Sequence, residues 1–179
     1  MRTNVIIKEA TPEDAKQITY VRRKTGLTTY PNRNEGIITK EDIEASFAKR
    51  TIEEESEARA QRIADISDTH IWVAKKRDIL VGFIEAMKGP DKDDNKIRSF
   101  YILSQYQHQG IGTALMEEAL KWLGGEKQVS CEVASYNKDA IRFYKKFGFE
   151  ENGLTTNSVA ELASGAKIAE IEVVKYPIV

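Results

Sequence analysis

The stretch from Ile97 to Leu123 constrains this chain more than any other. An apolar run, Ile97 to Leu103, leads into Gln107-His108-Gln109-Gly110-Ile111-Gly112-Thr113-Ala114-Leu115, and a helical pattern runs from Gly110 to Leu123. A strand that turns through glycines into a helix presents backbone N–H groups that have no acceptor inside the helix. Those amides and the positive end of the helix dipole favour an anion, most naturally a phosphate. Two familiar phosphate turns do not fit. A Walker loop would end in Gly-Lys-Ser/Thr, and the dinucleotide fingerprint would need a third glycine at its own spacing.

The rest of the composition narrows the partners. The chain has 179 residues, 41% hydrophobic and 31% charged, which suits one soluble globular domain with a full-sized core. A formal net charge of -1 argues against a basic nucleic-acid footprint and against docking on anionic lipid. Cys131 is the only cysteine, so no internal disulfide can form. His70 and His108 are the only histidines and lie far apart, which argues against a metal cluster. No secretory signal and no apolar run long enough to cross a bilayer is apparent, so the cytoplasm is the expected location.

Along the chain, Asn4 to Glu9 reads as a strand and Thr11-Pro12-Glu13-Asp14 as a helix start. Ala15, Ile18 and Val21 keep helical spacing. Thr25 to Ile38, with Gly26, Pro31 and Gly36, reads as a loop. Lys40 to Ile66 is helical, with a break near Arg50-Thr51, and Glu53-Glu54-Glu55 and Glu57 read as a solvated face. His70 to Ala74 and Ile79 to Met87 form a hairpin. After a polar tip come a strand from Lys96 to Leu103, the glycine turn and its helix, stopped by Gly124-Gly125. Val129 to Ala134 is a strand, Asn137 caps a helix to Phe147, and Gly148 ends it. Phe149-Glu150 and Lys167 to Lys175 are strands, separated by a polar stretch from Glu151 to Gly165. Interleaved helices and strands with hairpins at both ends predict an α/β fold with a mixed sheet.

Two of these stretches, in order, resemble the GNAT N-acetyltransferase superfamily. Gln107-His108-Gln109-Gly110-Ile111-Gly112 is similar to its Gln/Arg-x-x-Gly-x-Gly/Ala signature, and Phe100-Tyr101-Ile102 resembles the strand before it. Asn137, Ala140, Phe143, Tyr144, Phe147, Gly148 and Phe149 resemble the second signature. The order of elements from Val5 to Val174 is similar to the whole fold. The resemblance implies a single domain over residues 1–179, with a mixed, mostly antiparallel central sheet flanked by helices. It implies acetyl-coenzyme A as donor, no metal, and a primary amine of a small molecule or peptide as acceptor, attacked directly. It also implies the site. The pyrophosphate would sit on the amides of Gln109, Gly110, Ile111, Gly112, Thr113 and Ala114, next to Gln107 and His108. The pantetheine arm would pair with the backbone at Tyr101 and Ile102, and Asn137 and Tyr144 would reach the arm and the thioester sulfur. A homodimer is expected by family analogy alone.

The chemistry needs a proton acceptor for the amine, because a free alkyl amine is mostly protonated near pH 7. It also needs a donor for the developing oxyanion, expected at a backbone N–H near Ile102. Tyr144 resembles the family's general acid. Many relatives carry a glutamate on the strand before the glycine turn, but Lys96-Ile97-Arg98-Ser99-Phe100 has no acid. Glu85 on the preceding strand is the substitute expected here, against the alternative of an outward or salt-bridged surface glutamate. His108 flanks the phosphate turn and suits the phosphate better than a base role. Cys131, between apolar alternating neighbours, reads as a buried strand residue and not a nucleophile. Trp72 and Trp122 read as core. The loop at Thr25–Ile38 and the segment Glu151–Gly165 should line the acceptor site, with Tyr30, Glu35 and Glu161 as contacts. The missing strand acid keeps open a rival class, a catalytically silent acyl-coenzyme A-binding regulatory module.

Overall fold

The computed structural model describes residues 5–32, 38–65, 68–90, 94–157, 162 and 164–177. Thr11 opens the first helix with a capping box, its N–H donating to Asp14 Oδ2 at 3.2 Å. A 3-10 turn, Pro12–Asp14, runs straight into α1 (Ala15–Thr29), which buries Ile18 and Val21 completely. The expected loop therefore starts later than the glycine and proline content suggested. Gly26 lies inside α1 because its bare backbone lets α2 (Lys40–Ala48) close in, and a Cβ there would meet Phe47 Cζ at 2.9 Å. The connection after α1 is gathered at its neck by paired backbone bonds between Asn32 and Ile38, 2.9 and 2.8 Å long.

The break in the charged segment occurs at Thr51. Its hydroxyl accepts from the Glu54 amide while the Glu54 carboxylate accepts from the Thr51 amide, a capping box that starts α3 (Ile52–Ala64). The acidic run is not one solvated face. Glu55 turns inward and binds Arg22 at 2.8 Å and Arg23 at 2.9 Å, and these cations, winning over burial, hold its carboxyl below the usual range.

Among the described residues, seven strands form one sheet in the order β1 (Val5–Glu9), β2 (Thr69–Lys76), β3 (Ile79–Met87), β4 (Asn95–Ile102), β5 (Val129–Ala134), β7 (Ala169–Lys175), β6 (Glu150–Asn157). All neighbours are antiparallel except β4 and β5. A parallel pair needs a long crossover, and α4 (Ile111–Leu123) supplies it. β6 is longer than its composition predicted. As an edge strand it pairs with β7 through backbone groups, and Gly153, at φ +79, absorbs the register shift between Glu151 and Thr155. Polarity therefore did not argue against a strand there.

The helices cover opposite faces. Leu115, Met116 and Ala119 of α4 and Ile141 and Tyr144 of α5 (Lys138–Lys146) pack on one face with Trp72, Ile84, Val129 and Phe149. Ile18 and Val21 of α1 pack on the other with Val73, Leu80 and Phe83, and Ile43 of α2 joins Ala134 and Ile168. Trp72 is buried and Trp122 half-buried against it, their ring centroids 5.8 Å apart. Among the described residues no helix is long and apolar enough to cross a membrane.

Candidate active site

The site begins where two strands part. β4 and β5 pair only at Asn95–Val129 and Lys96–Ser130. Asn95 fixes this closed end: its side chain accepts from the Gly89 amide and donates to the Leu123 carbonyl, both at 3.2 Å. Beyond it, β4 carries one extra residue. Glu85 faces Ser99 and Ala86 faces Ile97, so Arg98 is a bulge. A bulge bends and twists its strand, and β4 leaves β5 at that point. The parting opens a cleft of about 1450 Å³ between Phe100–Ile102 on one side and Glu132–Ala134 on the other. The β5-facing edge of β4 there has no ladder partner in the sheet, which suits an extended ligand added as a strand.

At the open end lies the glycine turn. His108, at φ +58, and Gly110, at φ +81, take left-handed conformations that turn the chain into α4. The first helical bond runs from the Ala114 amide to the Gly110 carbonyl, 3.1 Å. Ala114 is thus committed, and the amides of Ile111, Gly112 and Thr113 remain for an anion, with no side chain capping them. The Gly112 backbone sits close to the floor: a Cβ there would lie 3.2 Å from Ile102 Cδ1 and 3.3 Å from Phe143 Cε2. Gln107 is anchored, its Nε2 donating to the Ile102 carbonyl at 3.0 Å, and Gln109 is tied to the Gln105 carbonyl. Gln107, His108, Gly110, Gly112 and Thr113 line the cleft, while the Ile111 side chain is buried in the core. Lys138 and Lys146 of α5 bring positive charge to the same cleft.

The α5 wall carries Asn137 and Tyr144. Asn137 caps the helix, its Oδ1 accepting from the Ala140 amide at 3.1 Å, and also lines the cleft. Tyr144 is 4% exposed, and its hydroxyl accepts from Cys131 Sγ at 3.1 Å. Burial, reinforced by Cys131, raises the Tyr144 pKa well above that of a free phenol, so the hydroxyl keeps its proton at neutral pH. Burial pushes the Cys131 thiol up to about 12. A thiol that stays protonated is a poor nucleophile, as expected for a buried strand residue.

Glu85 is not in the cleft. It is 3% exposed on the α3 side of β3, with Arg59 Nη1 at 3.5 Å and Arg62 Nε at 3.9 Å. The alternation of strand side chains turns it away, which corrects the expectation that it shares the cleft with Tyr144. Tyr30, in contrast, reaches the cleft wall from the end of α1, and its hydroxyl lies 2.6 Å from that of Tyr101. The ring is steadied by Tyr136, whose hydroxyl donates to the Tyr30 carbonyl at 2.7 Å. Glu35 and Glu161 lie outside the described residues. Glu170 of β7 also lines the cleft, and sequence reasoning missed it. Its signal was a charge in a strand with partners on both sides, where most residues face packing.

A sheet that parts around a cleft, with a glycine turn at its mouth, has a shape that suits an extended, phosphate-bearing ligand. Comparison with known proteins agrees. The family description "Acetyltransferase (GNAT) family" matches residues 40–149, more than half of the chain. The chain belongs to the acetyltransferase (GNAT) family. An N-alpha-acetyltransferase of Sulfurisphaera tokodaii is 43% identical over 56 residues, 30% of this chain and 34% of that one. The chain thus spans about a third of the length of that relative. The PaiA N-acetyltransferase of Thermoplasma acidophilum, solved in complex with coenzyme A, superposes with a TM-score of 0.73 at 22% identity over 97% of this chain and 99% of that one. Arabidopsis thaliana NAA60, solved with a bisubstrate analogue, gives 0.67 at 18% identity over 97% and 98%. At these identities the structures speak for the fold.

Proposed function

We propose that the protein transfers an acetyl group from acetyl-coenzyme A to a primary amine of a small molecule or peptide by direct attack. The observation that carries this reading is the parted β4–β5 pair ending at three uncommitted amides, Ile111, Gly112 and Thr113. Those amides bind the pyrophosphate, with Lys138 and Lys146 adding charge. The free edge of β4 near Tyr101 and Ile102 holds the pantetheine arm as an added strand. The bound donor supplies an activated thioester. Tyr144 holds a proton for the departing sulfur, kept on its hydroxyl by burial. The protonated state of Cys131 supports direct attack over a relay through an acyl-cysteine.

Tyr144→Phe tests the reading. Acetyl-coenzyme A affinity should stay unchanged while amine-dependent thiol release falls about ten-fold or more, about 1.4 kcal/mol of barrier. The withdrawal of Glu85 into an ion pair favours the rival reading of a silent acyl-coenzyme A-binding module. Absence of thiol release from the wild type with every amine of a broad panel would decide for it.

A further inference from the structure

Removing Glu85 from the cleft leaves the proton of the acceptor amine without a destination, and the acceptor side has one carboxylate suited to take it. Resting on the acetyl-transfer reading, we propose that Glu170 is the base that deprotonates the amine, and that the paired hydroxyls of Tyr30 and Tyr101 seat the ammonium group beside it.

Position is the first argument. Behind the cleft lies a second cavity of about 140 Å³, with Arg22, Ile43 and Phe47 in its wall. Glu170, Tyr30 and Tyr101 line both spaces, so they form the wall the two share. An amine in the small cavity would face the donor cleft across these three side chains. The apolar surface of Ile43, Phe47 and Ile168 suits the carbon part of the acceptor. Arg22, in the wall of the same cavity, is paired with Glu55.

Availability is the second argument. Of the other acids near it, Glu55 is committed to Arg22 and Arg23 and Glu85 to Arg59 and Arg62, Glu172 accepts from the Asn152 side chain, and Glu132, which also lines the cleft, is exposed. Glu170 has neither a cation nor a hydrogen-bond donor among the described residues. Its burial, and then the charge of Glu132, raise its pKa above that of an ordinary glutamate. A base with a pKa nearer the working pH transfers protons more effectively. The titratable and charged groups around it are Glu132 of β5, Glu172 of β7, Tyr30 and Arg22 of α1, and Tyr101 of β4.

Unmet polarity is the third. Two hydroxyls 2.6 Å apart satisfy one donor and one acceptor, and keep lone pairs for an ammonium group.

The protons balance. One ammonium proton passes to the Glu170 carboxylate and on to solvent. The nitrogen lone pair forms the bond to the acetyl carbon as the carbon–sulfur bond breaks. A second proton leaves nitrogen as the amide forms, replacing the one Tyr144 gives to sulfur. The products are an amide, a free thiol and one solvent proton.

Glu170→Gln is the test, with spermidine and a tetrapeptide with a free N-terminus as acceptors. Thiol release should fall about 100-fold in kcat/KM, with calorimetric affinity for acetyl-coenzyme A and melting temperature unchanged. In the wild type the rate falls as pH drops through the raised Glu170 pKa, because the protonated carboxyl cannot accept. That acid limb should vanish in Glu170→Gln and return, with part of the rate, in Glu170→Asp. Carbon-13 NMR of the unliganded protein gives a readout independent of turnover: a glutamate carboxyl titrating above the usual range and absent from Glu170→Gln. A wild-type rate and an intact acid limb in Glu170→Gln would overturn the inference alone, as would a limb that disappears in Glu132→Gln instead. A wild type that binds acetyl-coenzyme A but acetylates no amine overturns the acetyl-transfer reading and this inference with it.

Discussion

The two walls of the cleft are made of different material. On the wall proposed for the donor, the groups on offer belong to the backbone: the open edge of β4, the amides of Ile111 to Thr113, and a glycine whose missing side chain leaves room. These residues lie within about one strand, one turn and one helix of each other in sequence. On the wall proposed for the acceptor, the groups on offer are side chains brought together across the chain. Tyr30 meets Tyr101, and Glu170 reaches the same spot from β7. A backbone site is specified by chain shape and tolerates varied side chains. A side-chain site depends on each residue and can change specificity while the fold persists.

The sharpest way to break this contrast is Gly112→Glu. The new side chain would press on Ile102 and Phe143 and bring a carboxylate to the start of α4, where the dipole and the phosphate charge both oppose it. Calorimetric affinity for acetyl-coenzyme A should fall by more than about 1000-fold, roughly 4 kcal/mol. Gly112→Ala, which adds only the contact, should lose far less. Unchanged affinity in Gly112→Glu would remove the phosphate from this turn.

The acceptor wall has a foundation, and Glu85 belongs to it. Arg59 is 3% exposed; its Nε reaches Thr19 at 3.4 Å, its Nη2 is 3.5 Å from Glu55, and its guanidinium lies over the Phe83 ring. Nη1 has no hydrogen-bond partner and depends on the charge of Glu85, 3.5 Å away. Glu85→Ala leaves that guanidinium buried without its counter-charge and should cost about 3 kcal/mol of stability, read by denaturant unfolding. Its effect on turnover below the melting temperature should be small. If Glu85→Gln instead removed the acid limb of the pH–rate profile at unchanged stability, Glu85 would be the base and the acceptor wall would be differently built.

The same contrast explains what could be read from the chain. The glycine turn, the Asn137 cap and the helix carrying Tyr144 were legible because each is a local pattern with a local cause. The break at Thr51 was legible, although the capping box that makes it was overlooked. The Arg98 bulge left a trace, since Ile97 and Phe100 pack on the same face three residues apart, a spacing that regular strand alternation forbids. Without knowing the neighbouring strand, that trace had no interpretation. Glu85 and Glu170 were hard to sort because a strand glutamate looks the same whether an arginine meets it or a cavity does. Only the approach of α3, carrying Arg59 and Arg62, decides between them.

Asn137 is where the two kinds of wall overlap, and it gives the finest test. Its side chain caps α5 and also lines the cleft. Asn137→Ala should lose about 1 kcal/mol of stability through the cap. Serine caps a helix about as well as asparagine, so Asn137→Ser should recover most of that loss. Serine is shorter, however, and lacks the amide nitrogen that could donate to a ligand. If Asn137 also holds the pantetheine arm, Asn137→Ser will bind acetyl-coenzyme A a few-fold more weakly at wild-type stability. If affinity and stability return together, Asn137 is a cap alone, and the donor wall is held by its backbone groups with Tyr144 as its one reacting side chain.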